Sequence, residues 1–276
     1  MNKLLIAGLI AWASLAAAAA PINGGLVTGT TPTGIYLTNQ NGTQYIPYNQ
    51  ASFTLNGQPI EARYVIDGMM TAAQAEFLRG AVRERQNILI AGGTSTGKTT
   101  LANSLLAEIA ATGDRVLVLE DTIELQCAAR DHVPLRTRAG VVSMRELVRA
   151  TMRLRPDRVV VGEVRGGEAL DLIKVWGTGH PGGIATLHAG SALGALLRLE
   201  QLVLEVAVNP PRALIAEAVN VVVFIAGRGR KRRIESIARV TSFDEAGYRL
   251  ADVPGEPLAD QLTPFFLSPT TPGELP

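Results

Sequence analysis

A glycine-rich stretch in the first half of the chain has the spacing of a phosphate-binding loop. Gly92, Gly97, Lys98 and Thr99 form the pattern G-x-x-x-x-G-K-T. Glycines let backbone N–H groups curl around an anion, Lys98 can reach β- and γ-phosphates, and the Thr99 hydroxyl can ligate Mg²⁺. These residues therefore predict a nucleotide site. The residues expected to bind the nucleotide are Gly92, Gly93, Thr94, Ser95, Thr96, Gly97, Lys98, Thr99 and Thr100.

An acidic cluster follows the next apolar run and is a candidate metal site. The run Arg115–Glu120 reads as a buried strand, and Glu120-Asp-Thr-Ile-Glu124 continues from it. Carboxylates at the end of such a strand could hold Mg²⁺ through water or orient an attacking water, with Asp121 and Glu124 as the candidates. A solvated acidic turn without a ligand is the alternative. The residues alone leave both open.

A third apolar run also ends in a carboxylate. Val159–Val161 is followed by Gly162 and Glu163. This is the Walker B arrangement, except that Gly162 stands where an Asp is often found. Glu163, one residue later, can polarise a water towards the γ-phosphate. With a phosphate loop upstream, we favour this role over that of an ordinary carboxylate at a strand end.

Two of the three histidines lie in one short glycine-rich segment, Thr178–Ala189. They are His180 and His188, and the segment leads into a further apolar strand. A single histidine is most often structural, but this concentration makes His188 a candidate sensor of the γ-phosphate. The structural role stays open. His132 is interpreted as a surface residue.

Composition narrows the class of protein. The 276 residues are 47% hydrophobic and the net charge is +1, which excludes a disordered chain and a strongly basic nucleic-acid binder. We expect no direct sequence-specific binding of nucleic acid. The single cysteine, Cys127, excludes an internal disulfide framework. Because no Cys and His cluster has metal-ligand spacing, a metal should arrive with the nucleotide.

The apolar runs alternate with helical patterns, which predicts an α/β fold with a mostly parallel sheet. Thr71-Ala-Ala-Gln74 and Ser143-Met-Arg-Glu146 are capping boxes that open two of the helices. The predicted strands are 87–91, 115–120, 159–161, 184–187 and 221–226.

The amino-terminal part has a different composition. Lys3 and the apolar run Leu4–Ala20 have the pattern of a secretory signal peptide or a marginal membrane anchor, with a buried helix as the alternative. Residues 21–63 are rich in turn residues and predict a short β-rich segment. We expect the nucleotide-binding domain to span 64–250 and a loose proline-rich tail to span 251–276.

Four ordered motifs resemble those of the secretion ATPase superfamily, whose members drive type II and type IV secretion and pilus dynamics. The resemblance favours the conjugal-transfer branch of type IV secretion. It is carried by four sets of residues: Gly92–Thr100, Glu120–Glu124, Arg153–Asp157 with Gly162–Glu168, and Thr178–Gly183 with Thr186–Ala189.

The resemblance implies a RecA-like P-loop NTPase core in a hexameric ring, on the cytoplasmic side of the inner membrane and in contact with inner-membrane components of the apparatus. ATP hydrolysis with Mg²⁺ would power substrate transfer or assembly. The same resemblance implies that Arg153 or Arg155 meets phosphate charge, in its own or a neighbouring subunit's site. A type II secretion or pilus retraction motor remains an alternative.

The amino end departs from this pattern. Members of the superfamily carry a larger amino-terminal domain that forms its own ring layer, and residues 1–63 do not resemble it. The signal-like run also conflicts with a cytoplasmic position, because ATP is in the cytosol. A nucleotide-binding scaffold without turnover is therefore a second alternative. We expect the domain from residue 64 onward to fold without the leading segment.

Overall fold

The structure is a computed structural model that describes residues 10–15, 25–31, 34–39, 42–47, 51–55, 58–59 and 69–253. The first six of these ranges are strands of one antiparallel sheet with the order β4-β3-β2-β1-β5-β6. They are β1 Ile10–Leu15, β2 Gly25–Thr31, β3 Gly34–Asn39, β4 Gly42–Pro47, β5 Ala51–Leu55 and β6 Gln58–Pro59.

Strand β1 covers the middle of the amino-terminal apolar run. It is an extended strand paired with β2 and β5, which differs from the buried-helix alternative, whereas the signal-peptide or anchor interpretation stays a prediction. The remainder of that run lies outside the described residues. In the ranges that the structure describes, no helix is long and apolar enough to cross a membrane.

A second sheet of eight strands occupies the part from residue 69 onward, with the order β14-β13-β12-β7-β11-β10-β8-β9. Its strands are β7 Ile88–Gly92, β8 Val116–Glu120, β9 His132–Arg136, β10 Arg158–Val161, β11 Ile184–Leu187, β12 Val221–Ala226, β13 Arg233–Asp244 and β14 Gly247–Asp252. From β12 to β9 all pairings are parallel, and β13 and β14 add an antiparallel edge. The predicted mostly parallel sheet is confirmed.

Helices flank this sheet on both faces. They are α1 Ala72–Arg83, α2 Lys98–Ala110, α3 Met144–Thr151, α4 Glu168–Gly177, α5 Ala192–Val203 and α6 Arg212–Ala218. Helices α1 and α3 begin at the predicted capping boxes, where Thr71 and Ser143 each accept a hydrogen bond from the backbone N–H three residues on.

Alternate residues of the central strands build two separate cores. Leu89 of β7 packs in the core beneath helices α3 to α6, whereas its neighbours Ile88 and Ile90 pack in the core beneath α1 and α2. Because successive side chains of a strand point to opposite faces, a strand covered on both faces must be apolar at every position. This explains the uninterrupted apolar runs in the sequence.

The second sheet differs from the prediction in two places. Strand β9 was not predicted, because it is short, alternates polar and partly buried residues, and contains Pro134. Proline is tolerated there since β9 is the edge strand of the sheet. At the other end, β14 continues to Asp252, two residues past the predicted end of the domain at residue 250, and residues 254–276 lie outside the described ranges.

A buried ion-pair network closes the amino-terminal edge of the second sheet. Arg158, the first residue of β10, is 1% exposed, and its Nε donates to Asp114 Oδ2 at 2.6 Å. Arg85 contacts the other oxygen of Asp114, and the remaining guanidinium nitrogens of Arg158 donate to the carbonyls of Val82 and Gly182. The network joins the end of α1 to the starts of β8 and β10 and so connects these elements at the amino-terminal edge of the sheet.

Candidate nucleotide-binding site

The glycine-rich loop leaves β7 at the carboxyl edge of the sheet and leads directly into helix α2. A Cβ at Gly92 would lie 2.6 Å from the Ile225 carbonyl and 2.6 Å from Thr96 Oγ1, so no side chain fits there. Gly97 has φ +98° and precedes the first helical residue without any side-chain cap. The first N–H groups of α2 therefore have no intrahelical or side-chain partner, which is the arrangement that binds phosphate.

The loop forms one wall of a cleft of about 480 Å³. The opposite walls come from the segments after β8, β10 and β11, because parallel strands end at a common edge. The lining residues are Thr94, Ser95, Thr96, Gly97, Lys98, Thr99, Thr100, Glu120, Asp121, Thr122, Glu124, Leu125, Gly162, Glu163, Arg165, Thr186, His188 and Arg232.

The structure brings Lys98 and His188 together, as the sequence predicted for a shared site. Lys98 is buried, and its Nζ donates to the carbonyls of Gly92 at 3.1 Å and Gly93 at 3.0 Å. It also lies 3.4 Å from His188 Nδ1. Burial lowers the pKa of Lys98, although the nearby carboxylates of Glu163 and Glu124 oppose that shift. The ammonium group lies at the mouth of the phosphate loop.

Glu163 lies between two basic side chains. Its Oε2 accepts from Arg165 Nε at 2.6 Å, and this hydrogen bond raises the pKa of Arg165. Its Oε1 lies 2.7 Å from His188 Nε2, but it is buried and has no aligned hydrogen-bond donor. A hydrogen bond weakens steeply when it is bent, so this contact leaves the Oε1 acceptor largely unused. Oε1 therefore keeps the capacity to accept a proton from water.

The acidic segment after β8 contacts the phosphate loop directly. Thr99 Oγ1 donates to Glu124 Oε2 at 3.0 Å, and Asn103 donates to the Glu124 carbonyl at 3.1 Å. Asp121 accepts from Thr137 at 2.7 Å and lies 3.7 Å from the Arg165 guanidinium. Residues 121–124 are exposed, so the segment is a solvated turn that contacts the phosphate loop, and its role in holding a metal stays a prediction.

The predicted metal residues offer only oxygen donors. Thr99 contributes a hydroxyl, and Asp121 and Glu124 contribute carboxylates, which suit a hard cation such as Mg²⁺. Within the ranges that the structure describes, no group of three or more His, Cys, Asp and Glu side chains is placed to hold a metal by itself. The residues present therefore fit Mg²⁺ that shares its coordination with nucleotide phosphates and water.

Arg155 does not lie in this cleft. It follows α3 and precedes β10, at the amino-terminal edge of the sheet, whereas the glycine-rich loop leaves the carboxyl edge. Its side chain and that of Arg153 are exposed and neither lines the cleft. The sheet topology therefore contradicts the expectation that Arg155 acts in the site of its own chain. A role in a neighbouring subunit's site stays a prediction.

Arg232 is a candidate functional residue that the sequence did not single out. It follows a short turn after β12 and half-buries its side chain against Gly97, where an added Cβ would lie 3.4 Å from a guanidinium nitrogen. Arg232 Nε donates to the Gly229 carbonyl at 3.0 Å. In the part of the chain that the structure describes, no carboxylate is paired with it, and it is one of the residues that line the cleft. The signal available in the sequence is the basic run 228–233, which is equally compatible with a hairpin turn.

We expect Arg232→Gln to weaken the binding of ADP and of ATP about tenfold, the scale of one hydrogen bond to a charged group. Isothermal titration with each nucleotide measures this. Arg228→Gln removes the same charge from the same turn but not from the cleft lining, so it should bind like the parent protein. Equal losses in the two variants would attribute the effect to net charge rather than to a contact.

The glycine-rich loop on a parallel sheet, with its lysine, threonine and facing carboxylate, defines a P-loop nucleotide-binding protein of the α/β class. Comparison with known proteins then identifies the family. A family model described as type II/IV secretion system protein matches residues 54–228, and the chain belongs to that family. The predicted secretion ATPase family is confirmed.

The relatives and solved structures agree with this family. The chain is 50% identical over 202 residues to the probable conjugal transfer protein TrbB of Sinorhizobium fredii, covering 72% of this chain and 60% of that relative. It is 38% identical to the type IV secretion system protein PtlH of Bordetella pertussis, covering 63% and 56%. The VirB11 ATPase of the Brucella suis type IV secretion system superposes with a TM-score of 0.56 at 33% identity, covering 66% and 56%.

The chain spans about 60% of the length of the TrbB relatives that it matches. These relatives are longer than the part that they share with this chain.

Proposed function

We propose that the protein is a Mg²⁺-dependent ATPase that acts as a motor of a type IV secretion or conjugal DNA transfer system. The observation that carries the proposal is the convergence of Lys98, Thr99, Glu163 and His188 on one cleft beside the uncapped start of α2. The conjugal-transfer and secretion relatives support the choice of machine.

The loop N–H groups and Lys98 bind the phosphates of ATP. Thr99, Asp121 and Glu124 would hold Mg²⁺, the two carboxylates through water, and the ion would supply positive charge against the phosphates. Glu163 accepts a proton from water at Oε1 as the water oxygen bonds to the γ-phosphorus. The bond to the bridging oxygen breaks, and ADP and inorganic phosphate leave.

The assembly around this site is also a proposal. A homo-oligomeric ring, hexameric by resemblance, would lie at the cytoplasmic face of the inner membrane and contact membrane components of the apparatus. In such a ring, Arg155 of one subunit would meet the phosphates bound by the next. Residues 64–250 would form the motor domain, and the role of residues 1–63 stays a prediction.

Turnover separates a motor from a scaffold that binds nucleotide without hydrolysis. We expect the wild-type protein to release phosphate from Mg-ATP, and Lys98→Ala to lose about 10²- to 10³-fold in rate, as on removal of one preorganised charge from a transition state. Lys174→Ala removes an exposed lysine of α4 and serves as the control. Wild-type protein that gains thermal stability from Mg-ATP but releases no phosphate would support the scaffold instead.

His188 is proposed to sense the γ-phosphate. Its ring is about half exposed and contacts Lys98 on one nitrogen and Glu163 on the other. We expect His188→Ala to reduce hydrolysis about tenfold or more while leaving the affinity for ADP nearly intact. Parallel titrations with ADP and a non-hydrolysable ATP analogue test this. An equal loss of affinity for both would make His188 a residue that shapes the fold of the cleft.

A further inference from the structure

The end of strand β10 carries no side chain where the neighbouring strand approaches it. A Cβ at Gly162 would lie 3.1 Å from Glu120 Cγ and 3.5 Å from the Leu119 carbonyl. The backbone at Gly162 is held on both sides, since its N–H donates to the Leu119 carbonyl at 2.8 Å and its carbonyl accepts from Thr186 Oγ1 at 2.6 Å. These two hydrogen bonds resist a shift of the backbone, so a side chain at Gly162 would need the Glu120 side chain to give way by a few tenths of an ångström. The side chain of Glu120 occupies the space next to Gly162, at the end of β10.

Glu120 occupies that space as a buried carboxylate that still lines the cleft. Its side chain starts from the end of β8, and the residue is 5% exposed. Its Oε1 accepts from the backbone N–H of Glu124 at 2.9 Å and of Leu125 at 2.7 Å. This oxygen thereby holds the segment that brings Glu124 against Thr99. Burial of a carboxylate costs free energy unless it is hydrogen-bonded, and these two backbone N–H groups offset that cost for Oε1.

We propose that Glu120 supplies, from β8, the carboxylate that Gly162 leaves absent from the end of β10. It is a positioning residue with two effects: one oxygen fixes the acidic segment, and its negative charge favours the cation that accompanies the nucleotide phosphates. The inference rests on the proposed function, since it concerns the same site. It also accounts for Gly162, because a side chain there would crowd Glu120 Cγ, the atom that carries the carboxylate.

The two effects can be separated by Glu120→Gln. The amide oxygen of glutamine can still accept both N–H groups, whereas the negative charge is lost. We expect the affinity of the ADP-bound protein for Mn²⁺, measured by electron paramagnetic resonance of free Mn²⁺, to fall about tenfold or more, as on loss of an outer-shell carboxylate. The affinity for ADP in the absence of metal should stay within twofold of the wild type.

Glu168→Gln is a closely matched control. Glu168 is equally buried, at 8% exposed, and its Oε1 accepts two backbone N–H groups, from Arg165 at 2.7 Å and Gly166 at 2.9 Å. It does not line the cleft. We expect this variant to change thermal stability as much as Glu120→Gln does and to leave Mn²⁺ affinity at the wild-type value.

Gly162→Ala tests the same idea without changing Glu120. The added methyl group would lie 3.1 Å from Glu120 Cγ and should shift that side chain, so we expect weaker Mn²⁺ binding to the ADP complex although every charge is kept. Wild-type Mn²⁺ affinity in both Glu120→Gln and Gly162→Ala would overturn the inference while leaving the proposed function standing. A wild-type protein that binds neither ADP nor Mn²⁺ with ADP would instead overturn the proposed function, and the inference with it.

Discussion

Glu163→Gln should bind ATP as the wild type does and hydrolyse it roughly 10²-fold or more slowly, the scale of lost general-base catalysis. The reason is that Glu163 Oε1 is the buried oxygen in the cleft without an aligned donor, whereas its other oxygen is bound by Arg165. A glutamine keeps the shape but cannot take up a proton from water at pH 7. Single-turnover phosphate release, with the affinity for a non-hydrolysable analogue measured in parallel, checks both halves of the prediction.

Glu168→Gln serves as the control for this variant too, because it removes a buried carboxylate of the same segment that lies outside the cleft lining. Turnover at the wild-type rate in Glu163→Gln would transfer the role of base to Glu124, the other carboxylate that contacts the phosphate loop. Loss of nucleotide binding in Glu163→Gln would mean that the Arg165 pair shapes the cleft, contrary to the expectation.

The parts of the site that the sequence predicted are those defined by local spacing. Gly92, Gly97 and Lys98 lie within seven residues of one another, and a strand followed by a helix is enough to bring them around one anion. Glu163 was identified in the same way, from its position one residue beyond an apolar run and Gly162. Such motifs need no knowledge of which strands are neighbours.

The residues that sequence reasoning missed depend on strand neighbours. Arg232 reaches Gly97 only because β12 lies beside β7, although the two residues are far apart in the chain. Glu120 lies in front of Gly162 only because β8 lies beside β10. The apolar runs predicted that these strands exist and are parallel, but a run of Val and Leu carries no information about its partner.

Arg155 shows where closeness in sequence is a poor guide. The resemblance placed it with the phosphates, and its motif lies only a few residues before Glu163 in the chain. Strand β10 runs between them, so they are at opposite edges of the sheet. Each residue of a parallel strand advances about 3.3 Å, and four residues separate the two edges by more than 10 Å. Although Arg155 is close to Glu163 in sequence, it therefore lies at the edge of the sheet opposite the nucleotide cleft of its own chain.

The second large effect concerns stability rather than catalysis. Asp114→Asn should lower the free energy of unfolding at pH 7 by about 3 kcal/mol or more, the scale found when one partner of a buried ion pair is removed. The guanidinium of Arg158 is 1% exposed, and its Nε donates to Asp114 Oδ2. The variant keeps the shape of the side chain but leaves that cation buried without its anion. Urea unfolding curves measure the change.

The same pair predicts how stability depends on pH. Burial pushes the pKa of Asp114 up, but hydrogen bonds from Arg158, Thr112 and Arg85 outweigh it and hold the pKa below its ordinary value of 3.8. A carboxyl whose pKa is lower in the folded state stabilises the fold above its ordinary pKa and loses that contribution as pH falls through the folded value. The wild type should therefore lose stability below about pH 4 more steeply than Asp114→Asn does.

Asp131→Asn is the matched control, because Asp131 is an exposed carboxylate paired with Arg115 at 2.7 Å. An exposed pair contributes under about 1 kcal/mol, so this variant should unfold near the wild-type midpoint and keep the wild-type acid dependence. If Asp114→Asn and Asp131→Asn lower the free energy of unfolding equally, the network with Arg158 does not stabilise the amino-terminal edge of the sheet. A large cost confined to Asp114→Asn, with a flatter response to acid, ties the stability of the nucleotide-binding domain to this ion pair on the edge opposite the cleft.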